Sequence, residues 1–90
     1  MAFTATKTSE IVSIGSVKIQ TWELSFGSVT EGIVSTGMNQ VIACTHTNDT
    51  TEADGKLQKN KSAASTTANG SIFASSFTSN DVASLIVIGR

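Results

Sequence analysis

The stretch Gly32–Thr47, GIVSTGMNQVIACTHT, decides how the chain is read. It opens on a glycine, carries a second at position 37, and climbs through an apolar run into threonines. Thr36-Gly37-Met38 reads as a tight turn, because glycine enters the positive-φ region at no steric cost. A short strand, Ile33-Val34, stands before it. A longer one over Gln40–Thr47 follows, with Val41, Ala43, Thr45 and Thr47 on one face and Ile42, Cys44 and His46 on the other. The apolar content of that longer strand predicts a central place, with the remaining strands laid around it.

Working outward, Val17–Phe26 (VKIQTWELSF) has the clearest period of two. Its apolar residues switch from odd positions (Val17, Ile19) to even ones (Trp22, Leu24, Phe26), which predicts a bend or a bulge near Gln20–Trp22. Upstream, Phe3–Thr8 reads as a strand at a sheet edge, with Lys7 as a charge that discourages edge pairing. Ser9–Ile14 reads as a short second strand or a continuation, and Gly15-Ser16 as a turn or bulge. Downstream, Asp54-Gly55 and Asn69-Gly70 are hairpin signals, and SAASTTANGS (62–71) is a loop or a poorly ordered strand. Ile72–Phe77 is a strand and Ser79-Asn80-Asp81 a turn. In Val82–Ile88 four successive residues, Leu85-Ile86-Val87-Ile88, are large and aliphatic. Asn80 could cap a helix there, but such a run favours a strand buried on both faces, in mid-sheet or against a neighbouring subunit. With no proline and no 3.6-residue period, the expectation is all-β: one domain over residues 1–90, a small antiparallel β-sandwich or jelly-roll-like barrel of about seven to eight strands.

Composition narrows the function classes. The formal net charge is −1 and charged residues make up 14%, so the basic excess of a nucleic-acid binder is lacking. Hydroxyls replace the missing charge, Ser and Thr making 26 of 90 residues, which suits a packed assembly or simply many turns. One cysteine, Cys44, leaves no partner for an intrachain disulfide. No apolar run approaches the ~18–20 residues of a membrane-spanning helix. MAFTATKTSE lacks the basic end and apolar block of a signal peptide, so synthesis and retention in a cytoplasm are expected.

Chemistry-bearing constellations are sparse. Cys44 and His46 share a strand face, but a zinc site needs three or four ligands and the chain holds no second Cys or His. His46 with a serine could suggest nucleophilic catalysis, yet serines are too many to inform and no G-x-S-x-G elbow is present. The acidic loop Asp49–Asp54 lacks the EF-hand ligand pattern. Lys56, Lys59 and Lys61 form a basic run without interleaved aromatics, so a base-stacking platform is missing. Together, Asp49, Asp54, Lys56, Lys59 and Lys61 read as an exposed binding arm, acidic on one side and basic on the other. Neither a catalytic residue nor a cofactor or metal site is assigned. Trp22, the one tryptophan, reads as a core or subunit-interface anchor, or as a sugar-stacking platform.

The order of these features resembles small structural proteins that tailed bacteriophages encode near their capsid genes. The resemblance is carried by Met1–Thr6, by Gly15 with Val17-Lys18-Ile19, by Gly32–Met38 leading to Val41, by Asp54-Gly55, and by Leu85–Arg90. The segment SAASTTANGS departs from it, having fewer glycines and aromatics than such proteins carry there. The resemblance implies a non-enzymatic virion role as a decoration or cement protein, commonly trimeric, with the major capsid protein as a partner. The thin core of a chain this short also favours a homo-oligomer. The interface residues expected are Trp22, Phe26, Leu85 and Val87. The alternative is a β-sandwich module that binds carbohydrate or another surface ligand through Trp22 and the 48–61 arm.

Overall fold

The strand at Val82–Gly89 organises the molecule. In the computed structural model, which describes residues 3–12, 15, 17–50 and 55–90, it pairs on both sides within a four-stranded sheet. Seven strands form among the described residues: β1 (Thr4–Val12), β2 (Lys18–Ser25), β3 (Gly32–Ser35), β4 (Val41–Asn48), β5 (Lys56–Ala63), β6 (Thr66–Ser75) and β7 (Val82–Gly89). They make two antiparallel sheets, ordered β1-β2-β7-β4 and β3-β6-β5. The pairings are nested: β2 pairs with β7, and within that span β3 pairs with β6. A long hairpin wound into two layers gives this order, which is the principle of a jelly roll. The all-β sandwich read from the sequence is the fold found, with seven strands.

The core is built from inward-facing residues of both sheets. Ala83, Leu85 and Val87 of β7 and Leu24 of β2 meet Val34, Ile72 and Ala74 from the other layer, all fully buried. Phe26 stacks on Phe77 with ring centroids 4.2 Å apart, and Phe3 closes on Phe26 at 5.0 Å. Each large side chain removed from water in this way contributes roughly 1.5–3 kcal/mol.

The opening stretch folds differently from its reading. Gly37 does take a positive φ, 78°, but Thr36-Gly37-Met38 forms no tight turn between paired strands. Strands β3 and β4 lie in different sheets, and β4 is an edge strand; β2 and β7 hold the inner positions. The β3–β4 connection is a crossover, tied down by Thr36, whose hydroxyl donates to the Gly70 carbonyl at 2.6 Å.

The apolar switch in β2 is no bend. Gln20, Trp22, Leu24 and Phe26 all face inward, and the β2–β7 register runs without a shift. Ile19 faces out. The bulge sits in the partner strand instead, between Lys7 and Ser9 of β1, which is one continuous strand through Val12.

Asn69-Gly70 is not a hairpin turn either. Both residues lie inside β6, and the β5–β6 hairpin turns at Ala64-Ser65. Gly70 has φ 85°, and a Cβ there would collide with the Met38 carbonyl, so the glycine serves a close backbone approach. SAASTTANGS is therefore ordered strand on both sides of a tight turn. Position 54 lies outside the described residues, as do most of the Asp49–Asp54 loop and Ser13, Ile14 and Ser16.

Candidate interaction surface

Alternation along β7 places Leu85 and Val87 inside and Ser84, Ile86 and Ile88 outside. The doubly buried strand expected from Leu85–Ile88 is thus buried on one face and bare on the other. Register carries that outer face across the whole sheet. Ile88 pairs with Ile19 of β2 on one side and Ala43 of β4 on the other, and Ile19 pairs with Ile11 of β1. The result is a row of Ile11, Ile19, Ile88 and Ala43 running across all four strands. Ile11 is 62% exposed and Ile88 36%.

The next row is Ser9, Thr21, Ile86 and Thr45, with Ile86 46% exposed. Here Thr21 Oγ1 lies 2.6 Å from both Thr8 Oγ1 and Ser9 Oγ, so the β1 bulge is held by a small hydroxyl cluster. The third row is Thr6, Glu23, Ser84 and Thr47. Glu23 is the single charge in the three rows. Between β4 and β7 the face dips into a depression of about 110 Å³ lined by Ala43, Cys44, Thr45, Ile86 and Ile88. It forms because Ala43 is the one small residue in the apolar row.

The interface residues read from the sequence mostly lie elsewhere. Phe26, Leu85 and Val87 are fully buried in the monomer and belong to its own core, so no partner can touch them. The reason is register: the inward positions of β2 and β7 are the even and odd positions that carry them, and the bare positions are Ile19, Ile86 and Ile88. Trp22 is half-buried and packs against the core. Its indole Nε1 donates to Gln20 Oε1 at 2.9 Å. Gln20, 1% exposed, donates in turn to Glu10 and to the Thr36 carbonyl at 3.0 Å. That satisfied network is what lets a glutamine occupy an inward position. The Gln20 hydrogen bond, with help from Lys7 and Lys18, holds the Glu10 carboxyl below its ordinary pKa.

The arm over residues 48–61 is not a projecting hairpin. Lys56, Lys59 and Lys61 belong to β5, a strand of the second sheet. Lys56 is exposed, and Lys61 is half-buried. Lys59 reaches across to the Ile42 carbonyl at 2.8 Å, tying β5 to β4. Asp49 is exposed just after β4, and Asp54 lies outside the described residues. Trp22 sits on β2, which β7 separates from β4, the strand that β5 packs against. The structure does not bring Trp22 and the lysines together as one ligand platform.

Two further readings have a place in the fold. Cys44 and His46 are half-buried on the inner side of β4, where His46 meets Phe77 edge-on at 5.3 Å. Burial pushes the Cys44 thiol up, which keeps it in its poorly nucleophilic form at neutral pH. Among the described residues no three His, Cys, Asp or Glu gather as a metal cluster. Asp81 is buried as a structural group, accepting from the Thr78 amide at 2.8 Å and the Thr50 hydroxyl at 3.0 Å.

Asn60 escapes sequence reasoning altogether. It sits at the β5 bulge with φ 58°. Its side chain copies a strand backbone: Oδ1 accepts from the Val41 amide at 2.9 Å and the Gly70 amide at 3.1 Å, and Nδ2 donates to the Val41 carbonyl at 2.9 Å. One amide thereby stitches the two sheets along the β4–β5 edge. The only signal in the sequence is an asparagine, the residue most tolerant of positive φ, inside a polar strand.

Comparison with protein-family models, with curated proteins and with solved structures finds no match to this chain.

Proposed function

We propose that this chain is a non-enzymatic structural protein that assembles with copies of itself through the outer face of its four-stranded sheet. Following the resemblance described above, its place is on a tailed-phage virion, as a decoration or cement protein bound to the major capsid protein and made in the host cytoplasm. The observation that carries the reading is the apolar row Ile11, Ile19, Ile88 and Ala43, continuous across four strands and bare in the monomer. A contiguous apolar patch rimmed by neutral hydroxyls is the mark of a protein-interaction surface. Its burial would add roughly 25 cal/mol per Å² of apolar area, less the cost of ordering the partners.

Trp22, the stacking residue of the carbohydrate alternative, packs on the core with its indole nitrogen bonded, which favours self-assembly over that reading. The experiment is size-exclusion chromatography with light scattering, followed by co-sedimentation with phage shells stripped of decoration. An oligomer that pellets with shells is the expected result. A stable monomer with no affinity for shells would sink the proposal.

A further inference from the structure

The outer face of the four-stranded sheet is not merely apolar; its residues are arranged to fit themselves. Across the apolar row the order is Ile11, Ile19, Ile88, Ala43: large, large, large, small. The most protruding member, Ile11, is on one edge strand. The depression of about 110 Å³ is beside Ala43 on the other. For scale, an apolar cavity of about 150 Å³ accommodates benzene, so a depression of this size suits an aliphatic side chain.

Resting on the self-assembly reading above, we propose that two copies pack these faces together about a two-fold axis parallel to the strands. Ile11 of each copy then fills the depression beside Ala43 of the other.

That axis follows from the rows. A two-fold parallel to the strands and lying between the sheets reverses strand order and keeps each row at its own height. β1 of one copy then covers β4 of the other, and β2 covers β7. In the apolar row Ile11 meets Ala43 and Ile19 meets Ile88. In the middle row Ser9 meets Thr45 and Thr21 meets Ile86. In the last, Glu23 meets Ser84 rather than its own symmetry mate, so the single charge on the face finds a hydroxyl and no like charge. An axis perpendicular to the strands would instead lay the isoleucines on the row that holds Glu23.

The area is sufficient. Four strands about 4.8 Å apart and about eight residues long at ~3.3 Å each present roughly 500 Å² per copy. The pair buries roughly 1,000 Å², the lower bound for a specific interface. Sheets stacked face to face with near-aligned strands are an ordinary β-sandwich packing.

The geometry predicts a cross-link that one chain cannot form with itself. Within a monomer, positions 11 and 43 are three strands apart, about 14 Å. Across the proposed interface they face each other at about the 10 Å spacing of stacked sheets, beyond the ~7 Å limit of a disulfide but within reach of a short bifunctional thiol reagent. In a Cys44→Ser background, Ile11→Cys combined with Ala43→Cys should give, with a reagent cut to span about 10 Å between Cα positions and not ~14 Å, a covalent dimer on a denaturing gel and no higher ladder, because a two-fold closes. A ladder, or no cross-linking, overturns the arrangement. So does cross-linking by Ile11→Cys alone. Because Ile11 is exposed, Ile11→Asp should leave the fold intact and weaken dimerisation by roughly ten- to a hundredfold; an unchanged dimer counts against the fit. A trimer by light scattering, as the resemblance implies, overturns the two-fold but leaves the structural role standing. A stable monomer that also fails to bind shells removes both.

Discussion

Asn60 shows how much one side chain carries in so small a fold. It satisfies three backbone groups belonging to β4 and β6 from a position on β5. Asn60→Ala removes all three bonds and leaves a Cβ residue at positive φ, so a loss of about 2–4 kcal/mol is expected, read as the shift of a urea midpoint. Asn60→Gly separates the two causes, since glycine accepts the backbone angle freely. That variant should recover only a part of the loss. Recovery to native stability would mean that the side-chain bonds contribute nothing. At this scale the sequence was least legible. Asn60, Gln20 and Thr36 are plain polar residues in polar company, and their importance comes from which buried backbone groups the tertiary fold leaves open. Gln20 alone left a trace, because it occupies the inward phase of an otherwise apolar alternation with Trp22, Leu24 and Phe26.

The elements were more legible, and their faces less so. The β2 and β7 strands, the turn at Ser79-Asn80, and the edge position of the first strand all follow from period and punctuation. The apolar switch in β2 misled because Ile19 was counted as a core residue. It is an outward residue, and that is the signature of a second apolar face. The same holds for Leu85–Ile88, where an unbroken aliphatic run meant one core face and one exposed face. The β1–β2 pair also carries a pH response. Glu10 has its pKa lowered in the fold, first by the Gln20 hydrogen bond and then by Lys7 and Lys18. Its contribution is therefore complete above the ordinary value of 4.5 and is lost as pH falls below it. Trp22 fluorescence should report this, since its indole bonds the same Gln20. A step on the acid side is expected in the native protein and should be missing in Glu10→Gln. An identical step in both would assign it to another group.

For the molecule as a whole, the fold class was legible because hydrophobic period and turn residues act locally. The pairing order was not, because it depends on contacts between segments far apart in the chain. The exposed apolar row shared that fate: Ile11, Ile19, Ile88 and Ala43 come from four strands and meet only through register. The nature of that surface makes a further prediction. In the two-fold packing proposed above, one carboxylate per face lies opposite a hydroxyl, so self-association should not weaken between about 0.05 and 0.5 M salt, where exposed charge pairs are screened. Analytical ultracentrifugation across that range is the measurement. A marked loss of the oligomer at high salt would point to a charged contact on another surface.

The nested pairing of β2 with β7 also sets how the protein comes into being. Lys18 and Ile19 find their partners at Gly89 and Ile88, so the outer turn of the roll joins segments separated by most of the chain. Such closures are entropically demanding, and domains dominated by them fold in roughly milliseconds to seconds rather than microseconds. Of the two inner strands of the larger sheet, β7 is also the last of the seven described strands in chain order. Until it arrives, β2 and β4 have no strand between them and the core lacks Leu85 and Val87. Closure of the larger sheet therefore waits on β7, and until then the facing edges of β2 and β4 lack the strand that pairs with both.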